Sequence, residues 1–148
     1  MRGLPRPLPG PQGAAMKALT LYQPWASLIA DGRKPVETRP RGLSHRGLLA
    51  IHAGLKVDRA ACKQFGYDPD TIPRGVVLCI VNMVDCVRFP SPHVTPDLFG
   101  DYAAGRYGYI LELIERLPAP VAARGYQCLW DWKSSGCLCA AMGPEYNG

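Results

Sequence analysis

The stretch from Tyr22 to Arg39 reads Tyr22-Gln23-Pro24-Trp25-Ala26-Ser27-Leu28-Ile29-Ala30-Asp31-Gly32-Arg33-Lys34-Pro35-Val36-Glu37-Thr38-Arg39. Pro24 suits the first position of a helix, where its missing N–H costs nothing. Trp25, Leu28 and Ile29 follow at i, i+3 and i+4, which gives a short helix one apolar face. Gly32 stands where a left-handed C-cap is needed. Val36 to Thr38 is β-prone, and in an extended strand Glu37 and Arg39 point to the same side. A helix that ends in glycine and hands on to Lys34, Glu37 and Arg39 places charge at the mouth of a pocket. Taken singly, Lys34 or Arg39 reads as half of a surface ion pair of little weight. The combination is what marks the stretch.

Working outward, Lys17-Ala18-Leu19-Thr20-Leu21-Tyr22 precedes it as a strand. Residues 1–15 carry Pro5, Pro7, Pro9 and Pro11 among glycines and cannot bury a face, so they read as a disordered arm. Met16, just before the strand, marks an alternative start. After the stretch, Gly47 to Ala53 is a strand, Val57 to Phe65 a short helix stopped by Gly66, and Asp68-Pro69-Asp70 a turn. Gly75 to Phe89 is the most strand-like segment, apolar on both faces and long enough to need a bend near Asn82 or Asp85. Pro90 to Pro96 reads as a loop. Tyr107 to Leu117 is another strand, broken by Pro118 and Pro120. Gln127 to Trp132 closes a domain spanning 16–132, and residues 133–148 read as a flexible tail.

A chain of 148 residues is one domain, with 47% apolar and 20% charged residues in the ordinary range for a globular protein. No apolar run reaches the length of a membrane span, so no membrane partner is expected. The net charge of +5 allows an anionic partner, nucleic acid first among them, although Arg2 and Arg6 of the arm supply part of it. The six cysteines include no C-x-x-C pair. Cys79 and Cys86 lie in the apolar run and read as buried thiols, and Cys137-x-Cys139 is too tight for a zinc knuckle. A reduced, cytoplasmic, monomeric protein is expected.

The three histidines, His45, His52 and His93, form no metal motif, and no nucleophile elbow, P-loop or dinucleotide fingerprint is present. Neither a metal nor a cofactor is called for. His52, within a strand, reads as a structural histidine. What remains is a basic and aromatic set that includes Trp25, Lys34, Arg39, Arg41, Arg46, Tyr102, Arg106, Tyr107, Trp130 and Trp132. Aromatic rings stack on bases and Arg or Lys contact phosphates. Trp25, on the apolar helix face, and Trp130 also read as core.

The series Gln23-Pro24-Trp25-Ala26-Ser27-Leu28-Ile29, Gly32-x-Lys34 and Glu37-x-Arg39 resembles the signature of the ASCH domain family. Arg46 to Ala53, Phe99-Gly100-Asp101-Tyr102, Gly105-Arg106-Tyr107 and Leu129-Trp130-Asp131-Trp132 resemble further blocks of small bacterial and phage members, in the same order. The resemblance implies an α+β, PUA-like fold: a mixed, mostly antiparallel β-barrel with a few short helices. It implies a ligand cleft between the first helix and the barrel. Lys34, Glu37 and Arg39 would line that cleft, with Gln23, Trp25, Arg46, Tyr102, Arg106 and Tyr107 around an RNA or modified nucleoside. A small bacterial branch of the family is an amidohydrolase of 4-acetylcytidine that uses a lysine, a threonine three residues later and a glutamate. Lys34 matches the lysine, Glu37 stands at the threonine position beside Thr38, and Asp101 is the candidate acid. A ribonuclease activity is also attributed to the wider superfamily. Three function classes therefore stand. They are an RNA- or nucleoside-binding domain, a hydrolase using Lys34 and Glu37, and an interaction module using the proline-rich arm.

Overall fold

The computed structural model describes residues 15–133. The first strand, β1 (Ala15–Gln23), alternates buried and exposed side chains along much of its length and begins earlier than the sequence suggests, because Ala15 pairs with Lys133. Helix α1 (Trp25–Ala30) follows, with Ala26 to Ala30 all buried. Gly32 takes φ 77°, the expected left-handed stop. The order continues with β2 (Val36–Arg39), β3 (Gly47–Val57), α2 (Arg59–Phe65), β4 (Val76–Arg88), β5 (Tyr107–Ala122) and β6 (Leu129–Lys133). Asp58 Oδ1 accepts the Ala61 N–H and caps α2, so that helix opens two residues later than expected.

The six strands form one sheet in the order β2-β5-β4-β3-β1-β6. Only β1 and β3 run parallel, and α1 with β2 makes the crossover between them; every other pair is antiparallel. Among the described residues the ladder is open, with β2 and β6 at its ends, so the strands do not hydrogen-bond into a closed barrel. The cause is length. β2 has four residues, and all four pair with β5. β6 covers β1 only as far as Leu19. Beyond that point the sheet still curls back on itself, because Arg39 Nη2 in β2 donates to Thr20 O in β1 at 3.1 Å.

α1 and one face of the sheet enclose a core of Leu19, Leu21, Ile29, Leu49, Ile51, Val81 and Met83, among others. The other face gathers Met16, Val77, Ile80, Trp130 and Trp132. The expected bend in the long strand is a register shift between Met83 and Asp85. Pro118 and Pro120 do not end β5, which runs through both to Ala122. β2 pairs with β5 only over residues 107–110, and a register shift opposite Leu78 absorbs the prolines. A proline on an edge, at a bulge, forfeits no ladder bond. Pro90 to Pro96 contains no helix. Cys79 is buried as expected, whereas Cys86 is half-buried. No helix among the described residues is long and apolar enough to cross a membrane. The expectations for residues 1–14 and 134–148, including Cys137 and Cys139, lie outside the described residues.

Candidate functional site

Lys34 leaves the turn after α1, where its backbone N–H and that of Arg33 both bond Leu28 O. The side chain is then driven inward and is only 2% exposed. Lys34 Nζ donates to Val36 O at 2.7 Å and Phe99 O at 3.0 Å, and lies 3.4 Å from Glu37 Oε1. The ammonium also sits 5.8 Å from the centre of the Trp25 ring. Burial lowers the lysine pKa, and the charges of Glu37 and Asp97 oppose that shift. The surface ion pair that Lys34 alone suggests in the sequence is in fact a buried one.

Glu37 is buried between two cations. Arg39 Nε donates to its Oε2 at 2.7 Å, as two residues on one side of a strand allow. The loop before β5 closes over this group. Asp101 N–H donates to Thr38 Oγ1 at 3.0 Å and fixes the loop to β2. Together Trp25, Lys34, Glu37, Thr38, Leu98, Phe99, Gly100 and Asp101 line a cleft of about 360 Å³. Leu98 stands at its rim, 79% exposed. Phe99 meets Phe65 edge-on and carries the Arg33 guanidinium 5.9 Å from its ring centre.

Of the residues singled out in the sequence, this cleft brings together Trp25, Lys34, Glu37 and Asp101. Trp25 is only partly buried, its edge on Phe65. Asp101 is exposed, and its carboxylate accepts the Ala103 N–H and faces Arg106 at 3.5 Å rather than pairing with Lys34. Arg106 braces the loop by donating to Asp101 O at 3.0 Å. Tyr102 packs on Phe89, and its Oη is buried without a hydrogen bond of ordinary geometry among the described residues. Burial and the neighbouring Asp97 carboxylate push its pKa up. Tyr107 lies opposite Arg39 across the β2–β5 ladder. Gln23 is elsewhere and fully buried, its amide bonded to Ser27 and to Pro73 O. Arg46 does not line the cleft either; it donates to Leu43 O and His45 O of its own loop and faces Asp85 at 3.6 Å. Sequence reasoning missed Leu98 and Phe99. The Phe99-Gly100-Asp101-Tyr102 block points to this loop, and the apolar Phe99 beside its polar members is the signal for them.

Arg39 faces a second and larger cleft of about 1340 Å³, shared with Thr20, Tyr22, His52, Tyr126 and Trp132 among others. Neither Lys34 nor Glu37 lines it. His52 is buried as a structural histidine would be, bonded to Thr20 Oγ1 and Ala123 O. Trp130 and Trp132 are both core.

A sequence model described as the ASCH domain matches residues 19–103. A search of curated proteins returns no match. Among solved structures, the chain is similar to a mutant form of the ASCH protein from Zymomonas mobilis, with a TM-score of 0.51 and 15% identity, covering 84% of this chain and 95% of that one. A second structure of ASCH from Zymomonas mobilis gives a TM-score of 0.49 at 15% identity, covering 84% of this chain and 92% of that one.

Proposed function

The chain belongs to the ASCH domain family, and on that premise we propose that it binds RNA or a modified nucleoside in the cleft between α1, β2 and the loop over 98–101. The observation that carries this reading is the Glu37 carboxylate, held between Lys34 and Arg39 at the floor of an aromatic-walled cleft. A carboxylate offers about four acceptor positions. Lys34 and Arg39 use one on each oxygen, which leaves Glu37 able to accept N–H groups from a base edge. Lys34 within the lining and Arg39 from outside it compensate the Glu37 charge. At about 360 Å³ the cleft is of the size that takes a small ligand. Trp25 and Phe99 offer faces for stacking, and Arg33 beside Phe99 offers a phosphate contact. The curl of the sheet, bridged by Arg39, supports reading the fold as a PUA-like barrel left open between β2 and β1. The free thiols of Cys62, Cys79, Cys86 and Cys128 support a reducing, cytoplasmic setting, and we read the protein as a monomer.

Fluorescence anisotropy with labelled single-stranded RNA, repeated over a salt series, tests the reading. Affinity should fall linearly on a logarithmic salt axis as phosphate contacts release counterions. Glu37→Gln should weaken the complex without abolishing it, because the amide keeps an accepting oxygen. An absence of binding to RNA and to nucleosides at low salt would remove this function.

A second reading, hydrolysis of an acylated nucleoside or of RNA, draws on the lowered pKa of Lys34 beside Glu37. Such a pair moves a proton more readily than a free lysine does. Glu37 in place of a threonine denies this chain the family's hydroxyl nucleophile at that position. Turnover of 4-acetylcytidine or RNA that Glu37→Gln eliminates, with binding retained, would favour hydrolysis over binding alone.

A further inference from the structure

The larger cleft holds a set of reactive groups independent of Lys34 and Glu37. Thr20 Oγ1, on a partly exposed residue of β1, lies 3.1 Å from His52 Nδ1. On the other side of the ring, His52 Nε2 lies 2.7 Å from Ala123 O. A carbonyl can only accept, so Nε2 carries the proton and donates. In the neutral ring Nδ1 is then the acceptor, and it takes the Thr20 hydroxyl proton. Trp130 Nε1 donates to Thr20 Oγ1 at 2.9 Å. The chain of bonds therefore runs one way, from the indole into the hydroxyl and from the hydroxyl into the imidazole. Arg39, paired with Glu37 through Nε, donates from Nη2 to the Thr20 backbone O at 3.1 Å and fixes that residue's main chain. Gly125 is required at the spot, since a Cβ there would come within 2.5 Å of Thr20 Oγ1 and 2.7 Å of His52 Nδ1.

We propose that Thr20 and His52 are a nucleophile and general base for acyl transfer from small activated esters that enter through the larger cleft. A hydroxyl bonded to a base whose far nitrogen is oriented by a third group is the arrangement that makes a weak nucleophile reactive. Ala123 O orients the ring here without a carboxylate's charge, so the imidazolium gains less support and turnover is slow. Burial lowers the His52 pKa and keeps the base unprotonated near neutral pH.

In the first step Thr20 Oγ1 bonds to the ester carbonyl carbon while its proton passes to His52 Nδ1. The tetrahedral intermediate then expels the alkoxide or phenolate, and the imidazolium releases its proton to that group or to solvent. In the second step water attacks the threonyl ester and gives a proton to Nδ1. Collapse frees the carboxylic acid as Thr20 Oγ1 takes that proton back. Water is the only co-reactant.

The full chain incubated with p-nitrophenyl acetate, followed by nitrophenolate absorbance and by peptide mapping after acid quench, tests the pair. Acetyl should appear on Thr20, and release should rise with pH as His52 deprotonates. Thr20→Ser should keep the activity. His52→Asn should slow release about a hundredfold, the usual scale for loss of a general base, and Thr20→Val should do the same. Thr20→Val keeps the side chain's shape but orphans Nδ1, so a loss of folding there leaves His52→Asn and Thr20→Ser to decide. Release as fast in His52→Asn as in the wild type overturns the proposal. Acetylation confined to lysines, with position 20 unmodified in both the wild type and Thr20→Ser, overturns it as well.

Discussion

Lys34 has three N–H donors, and Val36 O, Phe99 O and Glu37 Oε1 take them all. Its side chain is thus part of the scaffold as well as of the cleft floor. Lys34→Met should destabilise the protein by about 3 kcal/mol, near the low end for removing one partner of a buried pair, because Arg39 still compensates Glu37. Urea unfolding measures this, and a loss under about 1 kcal/mol would mean that the pair behaves like a surface bridge. The sequence identified Lys34, Glu37 and Arg39 correctly as one group, since strand alternation and the glycine stop are local. It could not tell that Lys34 and Glu37 are buried, because the cover over Lys34 includes Phe99, sixty-five residues later. Cysteine reactivity follows the same logic. Burial pushes the Cys79 thiol up to about 12, while Cys128 is exposed. A thiolate-seeking reagent followed by peptide mapping should label Cys128 in the native protein and reach Cys79 only on unfolding. Native labelling of Cys79 would show that β4 opens.

At the scale of elements, β2 is the piece that presents Glu37 and Arg39, and its position depends on a crowded seam with β5. Gly108 sits opposite Thr38 in that ladder. A Cβ at Gly108 would fall 2.6 Å from Phe89 Cζ and 3.0 Å from Val36 Cγ1. Both atoms are packed, so Gly108→Ala should cost about 1–3 kcal/mol, the usual range for overpacking. It should also weaken any ligand of the smaller cleft by displacing β2. A thermal midpoint equal to the wild type would mean that the seam has slack. Most elements were legible from periodicity and from Gly, Pro and Asp punctuation: the opening strand, both helices, the long bent strand and the closing one. β5 was misread at its end because proline's cost depends on whether the strand has a neighbour on that side. Residues 112–116 are exposed and pair only with β4, a tertiary circumstance that no local pattern encodes.

Across the whole molecule, Thr20 is the point where the open sheet is drawn together. Arg39 reaches it from β2 at one end of the ladder, Trp130 from β6 at the other, and His52 from β3 between them. His52 also holds Ala123, so the segment after β5 is tied to the same point. With His52 neutral, Nδ1 accepts the Thr20 hydroxyl proton. Burial disfavours the charged ring and lowers the His52 pKa below its ordinary 6.5, although the bond to Ala123 O opposes the shift. The unfolded chain takes up a proton on the ring near pH 6.5, and the folded chain only at lower pH. Between those two values the unfolded state binds more protons, so stability falls as pH falls. Above about pH 6.5 this component is fully present, and below the folded pKa its loss is complete. Urea unfolding from about pH 7.5 down to about pH 5 should show the decline. His52→Gln supplies the control, because a glutamine can donate to Ala123 O but does not titrate. Carboxylates elsewhere titrate equally in both proteins, so the difference between the two curves isolates the histidine. A wild-type curve parallel to that of His52→Gln would show that His52 ionises as freely in the fold as in the unfolded chain.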